Sequence, residues 1–288
     1  KVSIGFASLD SLMQGVSTII NWKGHGIDPV ATIRANLARV VERFQPTPTE
    51  IKDEPVAVVA YGPTLRDTWQ DLSGFRTVFT CSGAMKFLGG CGIRPTYHVD
   101  SDPQAHKTRL LGTPHSQVTY LLASTIHGNY LDALRDHECS KIKLWHLYFR
   151  EFDILDAIPL GEPMLTGGGN VGTHAVKLAR LMGYVNLHLF GFDACTGRSG
   201  SHAAEHPNPE SITDLFSFPA CGRTFTTCED WITQGYRLLA DLDDQPEVTC
   251  IFHGDGLLRM MAATHIKLAR EHQPLAFEKI SEDEAYGR

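Results

Sequence analysis

Residues 165–193 read LTGGGNVGTHAVKLARLMGYVNLHLFGFD, and this stretch decides the fold. Three glycines and Asn170 precede a segment whose apolar side chains recur at helical spacing, and a strand pattern follows at residues 186–190. A glycine loop before a helix suits an anion, because backbone N–H groups can approach phosphate oxygens where side chains are absent. The alternative is a tight turn that only packs the helix on a sheet.

Two further loops have the same design. The turn GPT of residues 62–64 directly follows the apolar run PVAVVAY of residues 55–61, and its threonine is a candidate helix N-cap. The turn CSGA of residues 81–84 follows another strand pattern. Because ligands bind at the carboxyl ends of strands in open α/β sheets, the three loops predict one crevice.

Composition excludes several classes of protein. The chain has 288 residues, of which 42% are hydrophobic and 20% charged, as is typical of globular proteins. Its formal net charge of -7 argues against a surface that grips polyanions, so a nucleic-acid acceptor is not favoured. The seven cysteines form no CxxC pair and fit a reducing cytoplasm. No apolar run approaches the ~20 residues of a membrane span, so no membrane partner is predicted.

The pattern along the chain predicts three regions. Residues 1–50 form a small N-terminal cap or arm, with a strand-like VSIGFAS and an amphipathic helix over residues 28–44. Residues 51–275 alternate strand and helix patterns, which predicts a doubly wound, mostly parallel, Rossmann-like α/β domain. Residues 194–222 interrupt the alternation and predict a long irregular loop over the crevice, and residues 276–288 form an acidic tail. The strands are predicted near residues 56–61, 77–81, 96–99, 118–122, 142–147, 186–190, 223–227 and 248–252.

Polar side chains follow two of these strands in patterns that suit catalysis. Asp100 and Asp102 form a DxD pair whose carboxylates could hold one Mg²⁺ or Mn²⁺ ion on a diphosphate. Asp102 could instead cap the next helix or contact a sugar hydroxyl. Ser82 could contact a phosphate or cap the helix that starts at Gly83.

The segment after residue 190 supplies the other candidates. Asp193 could hold a ribose hydroxyl or orient a base, or it could be an exposed strand-end carboxylate. His202 is placed to act as a general acid or base, with His206 as a competitor. His174 faces the ligand or packs. Because residues 159–164 read as a loop rather than a strand, a dinucleotide dehydrogenase is disfavoured.

The motifs of this chain also form an ordered set. They are YGPTL at 61–65, CSGA at 81–84 with GIRPTY at 92–97, DSDP at 100–103, GGGNVGT at 167–173, FGFD at 190–193 and SHA at 201–203. This set resembles the MptE-like domain family. That family is named for the archaeal 6-hydroxymethyl-dihydropterin diphosphokinase and is shared with the Maf flagellin glycosyltransferases and many phage-encoded proteins.

The resemblance implies a Rossmann-like nucleotide-binding domain distantly related to sialyltransferases. It implies that Asp102, Asp193 and His202 lie near the transferred group. Thr64 keeps the hydroxyl of a serine that is common in the family, whereas Ser82 stands where members often carry asparagine. The implied nucleotide-binding positions are Gly62, Pro63, Thr64, Ser82, Gly83, Gly168, Gly169, Asn170 and Thr173.

Three functions follow as hypotheses. The first is a glycosyltransferase that moves a sugar from a nucleotide-activated donor to an acceptor hydroxyl, with the loop amides stabilising the leaving phosphate. The second is an ATP-dependent diphosphokinase acting on a pterin-like alcohol, with Asp100 and Asp102 holding Mg²⁺. The third is a nucleotide-sensing or interaction module without turnover. Membership of the family also suggests a phage-type enzyme that modifies nucleobases or glycans.

Overall fold

The computed structural model describes residues 26–148, 154–167, 169–198, 200–204, 214–263 and 278–279. These residues form two compact units, each built from separate stretches of chain. The first unit contains residues 26–51 and 79–183, and the second contains residues 52–78 and the described residues from 184 onward. The VSIGFAS pattern, Gly168, His206 and most of the acidic tail lie outside the described residues.

Helices and strands alternate through most of the chain, as predicted. The helices are α1 (Pro29–Arg39), α2 (Leu65–Thr68), α3 (Ala84–Gly90), α4 (Gly128–Asp136), α5 (Val171–Leu181) and α6 (Glu229–Asp243). Short 3₁₀ helices cover Trp69–Gly74, Ala105–Leu110 and Leu155–Ala157. The strands are β1 (Val56–Val59), β2 (Thr77–Cys81), β3 (Tyr97–Asp100), β4 (Thr119–Ala123), β5 (Ile142–Leu147), β6 (Met164–Leu165), β7 (Asn186–Phe190), β8 (Phe216–Ala220), β9 (Arg223–Thr227), β10 (Thr249–Phe252) and β11 (Glu278–Lys279).

The first unit is a parallel sheet in the order β2-β3-β4-β5-β6 with helices packed on it. Tyr130, Leu131 and Leu134 recur at helical spacing on α4 and join a buried core with Tyr120 and Leu122 of β4. The alternate residues of β4 thus bury one face of the sheet under α4.

Helix α1, from the predicted N-terminal arm, packs within the first unit. Its N-cap Asp28 accepts a hydrogen bond from the Ala31 amide at 3.1 Å. The buried Asn36 amide group donates to the carbonyl oxygens of Ser124 at 2.9 Å and Ile126 at 2.7 Å. These hydrogen bonds hold α1 against the loop that directly follows β4.

The predicted end of α1 at residue 44 is wrong, because the helix ends at Arg39. The chain then runs extended beside β5, where the Phe44 amide donates to the Leu144 carbonyl at 2.8 Å. The apolar side chains at positions 40 and 44 remain buried in this extended conformation. Pairing with the sheet therefore outweighed the helical spacing of these residues.

The glycine loop is preceded by a strand, although residues 159–163 form a loop as predicted; of the predicted loop over residues 159–164, only Met164 belongs to the strand. Met164 and Leu165 form β6 and pair with His146 and Leu147 of β5. A strand of two residues is too short to produce a periodic signal in the sequence.

The second unit contains a parallel sheet in the order β10-β7-β1. All four residues of β1 are fully buried, as the continuous apolar run predicted. The second unit also contains an antiparallel sheet of three strands, in the order β11-β8-β9.

Strand β8 corrects the prediction of an irregular loop over the whole of residues 194–222. Pro219 argues against a strand in the sequence, because proline cannot donate to a ladder. However, β8 pairs along its whole length with β9, where Pro219 lies opposite Thr224, and within the described residues β11 pairs with Phe216 and Ser217. Strand 223–227, predicted for the mostly parallel sheet, is instead the antiparallel partner of β8.

The predicted α/β fold class with parallel strands and flanking helices is confirmed in both units. The cap, the loop over a crevice and the domain boundaries at residues 50 and 275 stay predictions. All seven cysteines are free thiols. Within the described ranges, every helix is too short or too polar to cross a bilayer.

Candidate functional site

Each unit places sequence-predicted polar residues at the carboxyl ends of its strands. We name the group in the first unit the Asp100 cluster and the group in the second unit the Asp193 cluster. The Asp100 cluster comprises Thr80, His98, Asp100, Asp102, Lys107 and Tyr130, and the Asp193 cluster comprises Tyr61, Thr64, Asp193 and His202. The predicted convergence of the Thr64 and Asn170 loops concerns residues of both units and stays a prediction.

Asp100 is the last residue of β3, and its side chain is buried. Its Oδ1 accepts hydrogen bonds from the amides of Ser101 at 2.8 Å and Asp102 at 3.0 Å. Its Oδ2 accepts a hydrogen bond from the Tyr130 hydroxyl at 3.2 Å. Burial raises the pKa of Asp100 to about 7, although the two amides act in the opposite direction.

A buried chain of hydrogen bonds connects Thr80, His98 and Tyr130 to Asp100. His98 Nε2 lies 2.7 Å from the Tyr130 hydroxyl, and His98 Nδ1 lies 3.0 Å from Thr80 Oγ1. Burial lowers the pKa of His98 to about 3, so the imidazole is neutral. With the proton on Nε2, His98 donates to Tyr130, which leaves the Tyr130 proton for Asp100. The Thr80 hydroxyl proton is within reach of both His98 Nδ1 at 3.0 Å and the Tyr97 carbonyl at 3.3 Å.

Asp102 has two protein partners of its own. Its Oδ1 accepts a hydrogen bond from the Gln104 amide at 3.0 Å, and its Oδ2 lies 3.3 Å from Lys107 Nζ. In the part of the chain that is described, no three His, Cys, Asp or Glu side chains are grouped as metal ligands. The Lys107 ammonium would compete with a cation, so Asp100 and Asp102 fit a divalent ion poorly. The Mg²⁺ or Mn²⁺ site stays a prediction.

Helix α5 begins at the end of the glycine loop with a capping box. The Thr173 amide donates to Asn170 Oδ1 at 2.9 Å, and the Asn170 amide donates to Thr173 Oγ1 at 3.3 Å. His174, in the first turn, places Nδ1 3.0 Å from Ser101 Oγ and packs on the Trp145 ring. His174 is therefore a buried contact between α5 and the end of β3. Gly169 lies in the described part of this loop, next to Asn170.

Ser82 and Gly83 lie in the turn between β2 and α3. Ser82 has a φ of +49°, in the left-handed region. Gly83 is the N-cap of α3, and no side chain caps this helix. The alternative that Ser82 caps α3 is therefore wrong, and contact of its hydroxyl with a phosphate stays a prediction.

Asp193 and Thr64 form a buried pair between the ends of β7 and β1. Asp193 Oδ2 accepts from the Thr64 amide at 2.8 Å, and Oδ1 accepts from Thr64 Oγ1 at 2.6 Å. A Cβ atom at Gly256 would overlap Asp193, so the loop after β10 packs directly on this pair. The Gly62 amide donates to the Gly191 carbonyl at 2.9 Å. Binding of a phosphate by the Gly62 and Thr64 amides, with Pro63 between them, would therefore require these bonds to break.

The titration of Asp193 gives a testable pH dependence. Burial raises its pKa from 3.8 to about 6, against the opposite effect of the Thr64 donors. A carboxyl whose pKa is raised by folding stabilises the folded protein fully at a pH below its ordinary pKa of 3.8. This stabilisation is lost as the pH rises through the folded-state value of about 6. Asp193→Asn does not titrate. We expect its free energy of unfolding, relative to wild type, to rise by about 2–3 kcal/mol from pH ~4 to ~7 in urea denaturation.

The matched variant for this measurement is Asp193→Ala. It leaves the Thr64 amide and hydroxyl without an acceptor, so it should be about 1–3 kcal/mol less stable than Asp193→Asn at every pH. A difference between wild type and Asp193→Asn that does not change with pH would contradict the raised pKa.

His202 lies against Tyr61, the residue that follows the end of β1 by two positions. The two rings are stacked, with centroids 5.1 Å apart and planes 13° apart. The Ala203 amide donates to the Tyr61 carbonyl at 3.1 Å, and Arg66 Nε donates to the Ala203 carbonyl at 2.9 Å. The second unit thus brings Asp193 and His202 to the loop that follows β1.

Sequence reasoning missed Tyr130, Lys107 and the contact between Tyr61 and His202. Tyr130 occupies a core position of α4, where its spacing is that of any buried aromatic residue. Lys107 follows the DxD pair by a few residues. Its positive charge was the only feature of the local sequence that indicated a contact with the two carboxylates. The stacking of His202 on Tyr61 joins distant segments and leaves no local pattern.

Comparisons with known proteins give one family and a set of structural relatives. A family model described as 6-hydroxymethylpterin diphosphokinase MptE-like matches residues 31–199. No curated protein matches the chain. The Maf glycosyltransferase from Magnetospirillum magneticum AMB-1 is 14% identical with a TM-score of 0.60, over 91% of this chain and 44% of that chain. A mammalian sialyltransferase in complex with Gal-beta-1-3GalNAc-ortho-nitrophenol is 12% identical with a TM-score of 0.38, over 86% of this chain and 87% of that chain.

The chain therefore spans less than half the length of the Maf glycosyltransferase. At 14% identity the likeness to that structure concerns the fold.

Proposed function

The chain belongs to the MptE-like family, and on this premise we propose that it is a nucleotide-dependent transferase of the glycosyltransferase type. It would move a sugar from a nucleotide-activated donor to an acceptor hydroxyl. The likeness of its fold to the Maf glycosyltransferase supports this choice within the family.

The observation that carries the proposal is the contact between helix α5 and strand β3. The hydrogen bond between His174 and Ser101 holds the start of α5 beside Asp100, at the carboxyl end of the strand. The positive end of the helix dipole and the glycine loop before it suit the donor's phosphates. As the donor bond breaks, the charge that develops on the leaving phosphate would be stabilised there.

The acidic residues of the Asp100 cluster suit hydroxyl groups. Asp102 is partly exposed and paired with Lys107, so its carboxylate can accept a hydrogen bond from a donor sugar or ribose. Asp100 is buried, and it would act by fixing the backbone of Ser101 and Asp102.

In the Asp193 cluster we assign the general base to His202. An imidazole titrates near neutral pH and can take the proton of the acceptor hydroxyl as the sugar is transferred. Asp193 has both carboxylate oxygens engaged by Thr64, so it would act by positioning the loop after β1. The acceptor itself stays open, and a nucleic acid is the less favoured class because the net charge is -7.

The alternative is a diphosphokinase that transfers a diphosphate from ATP to a pterin-like alcohol. The description of the matching family, 6-hydroxymethylpterin diphosphokinase MptE-like, favours it. Such a reaction needs a cation between the ATP phosphates, and Asp100 and Asp102, the predicted ligands, fit one poorly because Lys107 pairs with Asp102. A phage-type enzyme that modifies nucleobases or glycans would be a variant of the first proposal with a different acceptor.

A thermal-shift panel separates these functions. We expect a CMP-, UDP- or GDP-sugar to raise the melting temperature by several degrees, as ligand at about 100 times its Kd adds about 2.7 kcal/mol. Because Lys107 already neutralises Asp102, EDTA should change this shift little. A shift with ATP that requires Mg²⁺, without one for any nucleotide sugar, would favour the diphosphokinase. Binding without turnover in any assay would favour a sensing module.

A further inference from the structure

We propose that Tyr61 is a positioning residue for His202, and that its ring fixes the imidazole in the orientation in which it receives the acceptor's proton. The inference rests on the proposed function, in which His202 is the general base. Tyr61 would touch neither donor nor acceptor and would act through His202.

The first observation is the geometry of the two rings. With centroids 5.1 Å apart and planes 13° apart, the imidazole lies nearly parallel to the phenol. Tyr61 is 8% exposed, so the platform on which the imidazole rests is itself held by packing. An aromatic ring stacked on a histidine contacts the face of the imidazole and not its nitrogens. Such a contact restricts the rotation of the histidine side chain.

The second observation is that the backbone after His202 is tied to the same tyrosine. The Ala203 amide donates to the Tyr61 carbonyl at 3.1 Å, and the Ala204 amide interacts with the Tyr61 hydroxyl. Arg66 Nε donates to the Ala203 carbonyl at 2.9 Å. The ring of His202 and the backbone that follows it are therefore placed by contacts with Tyr61 and Arg66.

The third observation is that the backbone on either side of Tyr61 is fixed to β7 and its loop. The amides of Ala60 and Gly62 donate to the carbonyls of Phe190 at 2.8 Å and Gly191 at 2.9 Å. Tyr61 thus extends the register of a fully buried strand. His202 stands outside any helix or strand, and a base in such a place is positioned by contacts of this kind.

Loss of the stack should lower kcat and leave donor binding unchanged. A base must lie within hydrogen-bond reach of its proton, and a misplacement of about 1 Å can cost about 100-fold in rate. For Tyr61→Leu and Tyr61→Met we expect kcat to fall about 10- to 100-fold, with the donor KM within about 2-fold of wild type. Tyr61→Phe keeps the ring and should stay within about 3-fold of wild type.

The test measures nucleotide release from the sugar donor that gives the largest thermal shift. It uses the full chain and the three Tyr61 variants, with urea denaturation to verify that each is folded. The combined variant Tyr61→Leu with His202→Ala should be no slower than His202→Ala alone, because a positioning residue has no effect once its target is absent. Losses that multiply in the combined variant would overturn the proposal.

A second readout does not depend on turnover. In proton NMR, the ring protons of His202, identified by comparison with His202→Ala, should be shifted upfield in wild type and Tyr61→Phe and not in Tyr61→Met. Equal His202 shifts in all three proteins would overturn the stacking.

The outcomes also separate this inference from the function on which it rests. Full turnover by His202→Ala would overturn the assignment of the base, and the positioning role with it. A loss in His202→Ala without any loss in Tyr61→Leu and Tyr61→Met would overturn the positioning role alone.

Discussion

Replacing His202 by alanine is expected to lower kcat by about 100- to 10,000-fold, the range for removal of a general base. The acceptor hydroxyl would then have to lose its proton to solvent during transfer. Donor binding should change little, because the contacts proposed for the phosphates lie at the start of α5. Steady-state kinetics with the nucleotide sugar identified by thermal shift measures both constants.

Two other histidines are compared with His202, one as a control and one as a competing candidate. His137 is exposed at the end of α4, and His137→Ala should retain activity within about 2-fold. His206 stands four residues after His202 in the sequence and is the competing candidate. If His206→Ala loses turnover and His202→Ala does not, the base belongs to position 206.

Replacing Gly183 by alanine is expected to destabilise the protein by more than about 4 kcal/mol. Gly183 ends the turn after α5 with a φ of +92°, and a Cβ atom there would overlap the carbonyl oxygen of Glu50. The obstacle is backbone that cannot rotate away, and the neighbouring turn is fixed because the Thr47 amide donates to the Leu181 carbonyl at 2.7 Å. Urea denaturation monitored by circular dichroism measures the loss.

Gly161 provides the matched control for this glycine. Its φ is +87°, but a Cβ atom there would meet no atom within 4 Å. Gly161→Ala should therefore cost only the strain of the left-handed backbone, about 1–2 kcal/mol. Equal losses in the two variants would mean that conformation alone, without the contact to Glu50, accounts for the effect.

The elements that carry their own signal could be predicted from the sequence. Strand β7 matches its prediction residue for residue, and α5 begins directly after Asn170, as the glycine run followed by helical spacing indicates. Strand β1 was found because a strand buried on both faces reads as a continuous apolar run. In each case the local sequence and the tertiary environment favour the same structure.

The elements that were missed depend on a partner strand outside the segment itself. Strand β8 contains Pro219, which argues against a strand, and its pairing with β9 outweighs that local signal. The helix predicted to reach residue 44 ends at Arg39, because β5 offers hydrogen bonds to the extended chain at Phe44. Propensity and spacing describe a segment alone and cannot include such partners.

The candidate site divides in the same way. The positions of Asp100, Asp102 and Asp193 at strand ends followed from the strand predictions. Their partners did not, because the Tyr130 hydroxyl is 30 residues from Asp100 in the sequence and Thr64 is 129 residues from Asp193. The sequence indicated which strand ends carry carboxylates. The fold determined which protein groups donate hydrogen bonds to their oxygens.

The pairing of β1 with β7 has a consequence for synthesis of the chain on the ribosome. The four residues of β1 are entirely apolar, and β7, the strand paired with one of its edges, emerges only after residue 186 has been translated. Until then that edge of β1 stays open to aggregation and to capture by chaperones. Contacts so distant in sequence also raise the contact order, so the second unit should be the slower of the two to fold.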